Sequence, residues 1–137
     1  MRRSRAKLAA LLAVPALALA AGAALFAEHR YEQSDIRTRA EAITGGSAER
    51  GRVVFHAKGC GGCHSVGGVP QANGMVGPSL DGIALRALLA GRLENKPENM
   101  MRWIDSPQSV APGTAMPDLP LTERDTRDLA AFLYTRT

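Results

Sequence analysis

The sequence predicts an all-α domain of three to five helices joined by long loops. Three observations carry this. Apolar residues recur at helical spacing, no segment alternates as a strand would, and glycine and proline crowd the stretches between. Ser47 can cap a helix over Ala48–Lys58, with Gly51 and Phe55 on one face and Gly59 as its stop. Residues 59–80 hold nine glycines and prolines and read as loop. Ile83–Ala90 reads as a short helix ended by Gly91. Pro97 suits the first turn of a helix over Glu98–Asp105, which Pro107 ends. Residues 106–121 hold four prolines and read as loop. Thr122 and Asp125 resemble a capping box that opens a helix over Glu123–Arg136, with Leu129, Phe132 and Leu133 on its apolar face. Such long loops in so short a stretch need something to pack on, so a non-protein body is expected at the centre.

Of the 137 residues, 17 are Lys or Arg and 13 are Asp or Glu, a formal net charge of +4. The excess lies in Arg2, Arg3, Arg5 and Lys7, and no acid precedes Glu28. From residue 28 onward, 13 basic groups balance 13 acids. A nucleic-acid binder needs basic groups clustered on its folded part, so that class is excluded. The hydrophobic fraction of 45% excludes a wholly disordered chain. Two cysteines are too few for a disulfide scaffold.

Behind the four charges runs an uncharged stretch of 20 residues, Leu8–Ala27. A spanning helix needs about 20 apolar residues. A secretory signal needs fewer, followed by small residues such as Ala21-Gly22-Ala23 or Leu25-Phe26-Ala27. Residues 1–27 are therefore expected to be a signal-anchor or a signal peptide, 28–46 a tether and 47–137 the working domain. Either reading places residues 28–137 outside the cytoplasm.

Cys60-Gly61-Gly62-Cys63-His64 has the C-x-x-C-H spacing of c-type haem attachment. Two thiols add across the two vinyl groups of one haem edge. The histidine after the second cysteine then comes to lie under the iron as proximal ligand. A zinc site is one alternative, but it needs four ligands. Beyond the motif the chain offers His29, His56 and carboxylates, with no second cysteine pair. A thiol–disulfide site is another, but the βαβ context it wants is not visible. One haem c, covalent through Cys60 and Cys63, is the expected cofactor, and it would be the body the loops wrap. Five methionines are candidates for the opposite ligand. Met1 is the start, Met100 and Met101 share a helix with Trp103, and Met75 lies in the glycine-rich loop. Met116 lies in a loop stiffened by Pro112 and Pro117, 52 residues after His64. That is enough chain to cross to the other haem face, so His64 and Met116 are the expected metal ligands.

Over Ala48–Thr135 the chain resembles the class I c-type cytochromes. The residues carrying the likeness are Gly51 and Phe55, the Cys60, Cys63 and His64 motif, Gly77-Pro78-Ser79-Leu80, Ser106-Pro107 with Pro112-Gly113-Thr114-Ala115-Met116, and Asp128–Leu133. It is most similar to bacterial cytochrome c domains fused to subunit II of haem–copper oxidases. Gly77–Leu80 and the run Lys96–Ile104 carry that. The resemblance implies the class I cytochrome c fold, with the Pro78 carbonyl accepting a hydrogen bond from His64 and so orienting its ring. It also implies that Leu129 and Phe132 pack on the first helix. The cupredoxin part and the copper ligands of such subunits are missing.

His/Met ligation leaves no open position on iron, so the expected role is one-electron transfer rather than enzyme catalysis. The alternative is a haem enzyme or ligand-sensing cytochrome with an open iron, and iron binding by Met116 separates the two. Trp103, Phe55, Leu80, Ile104, Leu119 and Phe132 are expected in the haem shell. Trp103 is either plain core or a donor to a propionate through its indole N–H. Arg86, Arg92 and Arg102 are further propionate candidates. The expected partners are redox proteins: a membrane oxidase, a bc-type complex or a dehydrogenase. The membrane itself is a partner through residues 8–27 if they are not cleaved. The expected location is the bacterial periplasm, tethered to the outer face of the inner membrane. A neutral domain implies weak electrostatic steering and a shallow salt dependence.

Overall fold

The computed structural model describes the backbone from Arg2 to Thr137 and the side chains from Val14 onward. Two compact units result, one reaching Asp35 and the other Ile36–Thr137. Among the described residues there are five α-helices and one two-stranded sheet. The helices are α1 (Arg2–Thr44), α2 (Ala48–Ala57), α3 (Pro97–Asp105), α4 (Pro107–Val110) and α5 (Glu123–Tyr134). The strands are β1 (Leu88–Leu89) and β2 (Leu93–Glu94), paired antiparallel. The domain is mostly helical, in agreement with the expected class.

In the first unit, α1 carries Pro15 within it, and Leu17, Leu19, Leu25 and Phe26 stand exposed. No helix among the described residues is long and apolar enough to cross a membrane. Residues 8–13 of the uncharged run lie outside the described side chains.

In the second unit, the segment expected to be a tether is helical up to Thr44, and Ala40 and Thr44 are buried. Glu41 Oε1 accepts from the Ala48 N–H at 2.9 Å, so the end of α1 helps to start α2. Ser47 caps α2, its hydroxyl accepting from Arg50 N–H at 3.4 Å. Thr122 and Asp125 form a reciprocal capping box on α5. The chain from Pro97 to Val110 forms α3 and then α4, each with proline in its first turn. The stretch 106–121 is thus not wholly loop.

α2 crosses α5 closely. A Cβ on Gly51 would lie 2.8 Å from the Phe132 Cβ, so only glycine permits this approach. The rings of Phe55 and Phe132 pack beside it with centroids 5.4 Å apart. Asp128, almost fully buried, ties the crossing together. Its carboxylate accepts from Ser47 N–H at 2.6 Å and from Arg50 Nε and Nη2 at 2.8 and 2.9 Å.

The expected helix over Ile83–Ala90 does not form. A single 3-10 turn at Ile83–Leu85 gives way to the β1–β2 hairpin. Asn95 explains the break, because its amide donates to Ile83 O and Arg86 O, both at 2.8 Å. It thereby takes carbonyls that a helix would use. Ala90 and Gly91 both hold positive φ, the left-handed conformation a tight hairpin demands. The hydroxyl of Tyr134 donates to Asn95 Oδ1 at 2.8 Å and fastens this corner to α5.

Candidate functional site

One cavity lies at the centre of the second unit. Its wall includes Cys60, Cys63, His64, Pro78, Trp103 and Met116, so every residue singled out from the sequence as a site residue is brought to one place. Phe55, Leu80, Ile104 and Leu119 also line it. Phe132 does not. Its ring is turned to Phe55 within the α2–α5 crossing, and Leu129 and Leu133, four apart on α5, face the cavity instead. Ile83, Leu89 and Met100 complete the apolar wall. Of the three arginines considered, Arg86 lines the cavity, whereas Arg92 and Arg102 do not. The Arg86 guanidinium donates to the Ser79 and Asp81 carbonyls.

The motif is placed by short-range geometry. α2 ends at Ala57, and Cys60–Gly62 forms a 3-10 turn whose Cys60 carbonyl accepts from Cys63 and His64 N–H. This turn sets both thiols and the imidazole on the cavity wall. Burial raises the Cys60 thiol above its ordinary value. His64 Nδ1 lies 2.8 Å from Pro78 O. A carbonyl can only accept, so Nδ1 is the donor and Nε2 is the ring nitrogen left for a ligand. Gly77 makes room for the ring. A Cβ there would lie 2.7 Å from Nδ1 and 2.9 Å from Nε2.

The methionines separate by environment. Met75 is 92% exposed, while Met100 is 1% exposed and belongs to the core. Met116 is half-buried and lines the cavity together with His64. An imidazole, a thioether and two thiols around an apolar space form the donor set for a c-type haem, and these residues fit that group. The carboxylates do not gather here. Among the described residues no cluster of His, Cys, Asp and Glu has the makings of a metal-ion site.

The resemblance singled out Gly77 beside Pro78 but not its steric role against the His64 ring. Asn95 and Gln108 were missed, because they act on carbonyls that only folding brings near and so leave no spacing signal.

The comparisons with known proteins agree with the geometry. The family model for cytochrome c matches residues 48–137. Subunit 2 of the cytochrome c oxidase of Alkalihalophilus pseudofirmus is 42% identical over 87 residues, which is 63% of this chain and 25% of that one. The subunit of the same name from Bacillus sp. (strain PS3) is 36% identical over 76 residues, 54% of this chain and 21% of that one. The match thus spans about a quarter of each of these relatives. No solved structure matches significantly. The chain belongs to the cytochrome c family, and its mostly helical domain is of the class I kind.

Proposed function

We propose that this protein carries single electrons between respiratory components, with one haem c attached through Cys60 and Cys63 and ligated by His64 and Met116. The observation that supports it best is one apolar cavity lined by all four side chains. Haem c, when bound, supplies a one-electron Fe(III)/Fe(II) couple. The Cys60 and Cys63 thiols would hold the group covalently, each S–H adding across a vinyl group with no net oxidation or reduction. His64 offers Nε2 while Pro78 O holds its Nδ1 proton, which fixes the ring and makes the nitrogen a better donor. Met116 offers a thioether, which favours the reduced iron and raises the potential. The apolar wall excludes water and works in the same direction, since the ferric site carries the extra charge.

The identity with cytochrome c oxidase subunits supports a haem–copper oxidase as the electron acceptor. The basic N-terminus followed by an apolar stretch supports export of residues 28–137 to the bacterial periplasm. Spectra of the haem-loaded protein test the ligand set. The ferric form should show a far-red sulfur-to-iron band, and the ferrous form should ignore carbon monoxide. Met116→Ala should lose the band and bind carbon monoxide. A high-spin ferric spectrum with ready carbon monoxide binding in the unsubstituted protein would overturn the assignment.

A further inference from the structure

We infer that Gln108 is the positioning residue of the Met116 loop, the clamp that keeps this thioether in place. The inference rests on the ligand set proposed above. The bonds within the loop are local: Thr114 N–H donates to Ala111 O at 3.0 Å and Met116 N–H to Thr114 Oγ1 at 3.4 Å. Pro112 and Pro117 have no N–H, and no helix or strand covers residues 111–121. Gln108, half-buried in α4 beside the buried Pro107, supplies what is lacking. Its amide nitrogen donates to Thr114 O and Met116 O, both at 2.8 Å. Its Oε1 accepts from Gly113 N–H at 3.1 Å. Its own backbone N–H donates to Asp118 Oδ1 at 3.1 Å. One residue therefore grips the chain on both sides of Met116.

A neighbour adds a second attachment: Lys58 Nζ donates to Pro120 O at 2.6 Å, tying the far end of the loop to the end of α2. A thioether is a weak ligand, so its hold depends on how rarely the loop opens. An external ligand competes only for the open state. Its apparent affinity therefore rises in proportion to the open population. Loosening the clamp should raise that population without replacing any side chain of the cavity wall, because Gln108 does not line it.

The test is an imidazole titration of the ferric holoprotein, read by loss of the sulfur-to-iron band. Gln108→Ala should bind imidazole at least about tenfold more tightly, as expected from losing several hydrogen bonds at once. Gln108→Glu keeps the volume and the acceptor but cannot donate to the Thr114 and Met116 carbonyls. It should shift the same way, and it carries the test if Gln108→Ala does not accumulate. Tyr134→Phe is the control, because it removes the bond to Asn95 and lies outside the cavity and its loop. It should leave imidazole affinity unchanged. Wild-type affinity in both Gln108 variants overturns the proposal, as does an equal rise in Tyr134→Phe, which would mean general loosening. A wild-type protein without the band overturns the ligand set itself, and the two failures are told apart by that first spectrum.

Discussion

At the scale of the residue, the site depends on atoms that are absent as much as on those present. His64 can lie against the 77–78 backbone because Gly77 has no Cβ, and only in that position does its Nδ1 reach Pro78 O. Gly77→Ala therefore forces the ring to move or the loop to yield. The expected loss is about 1–3 kcal/mol, the usual range for overpacking a fitted site. Urea unfolding of the holoprotein measures it, and an unchanged midpoint would mean that the loop yields freely. Cys60, Cys63 and His64 were legible in the sequence because their chemistry imposes a contiguous pattern. Met116 stood out because prolines mark its loop, and it lines the same cavity as His64. The steric role of Gly77 and the contacts of Gln108 were not legible, since each acts on an atom brought near only by folding.

At the scale of the element, the crossing of α2 and α5 holds one wall of the cavity, and Asp128 is its polar fastening. Burial alone would push this carboxyl up, but the Arg50 hydrogen bond, the Ser47 N–H and the charges of Arg50 and Arg124 outweigh it. They hold Asp128 below the usual carboxylate value. A lowered pKa gives a definite sign. The stabilisation is fully present above the unfolded value of about 3.9 and fades as pH falls through the lower folded value. Asp128→Asn should cost about 1–3 kcal/mol at neutral pH, because Arg50 and the Ser47 N–H lose a charged acceptor. The difference from wild type should shrink below roughly pH 4. Urea titrations of both proteins across that range measure it, and a difference independent of pH would show that the ionised form is not what matters. The helix starts at Ser47, Pro97 and Thr122 were readable from the sequence because caps are local. The β1–β2 hairpin was not, because two-residue strands are too short to alternate and Asn95 reaches back across the turn to break the helix. At the end of α1, Ala40 and Thr44 are buried, which their small and polar-flanked sequence does not signal.

At the scale of the whole molecule, the cavity is where the elements of the domain meet. Phe55 comes from α2, Trp103 and Ile104 from α3, Leu129 and Leu133 from α5, and Leu89 from the hairpin. Burying one large apolar side chain fully contributes about 1.5–3 kcal/mol. Covering even part of each of these amounts to a large fraction of the 5–15 kcal/mol that typically holds a domain folded. The protein's stability should therefore depend on its cofactor far more than on any one contact between helices. Cys60→Ser with Cys63→Ser removes both thiols proposed to attach the haem while keeping the size of both side chains nearly constant. We expect this double variant to retain much helix by far-ultraviolet dichroism, to bind a dye specific for exposed apolar surface, and to lose a sharp thermal transition. The attached protein should melt cooperatively. If the double variant melts as sharply and as high as the attached protein, the α2–α5 crossing with its Asp128 fastening is a sufficient core. The long loops are then held by their own hydrogen bonds rather than by what they enclose.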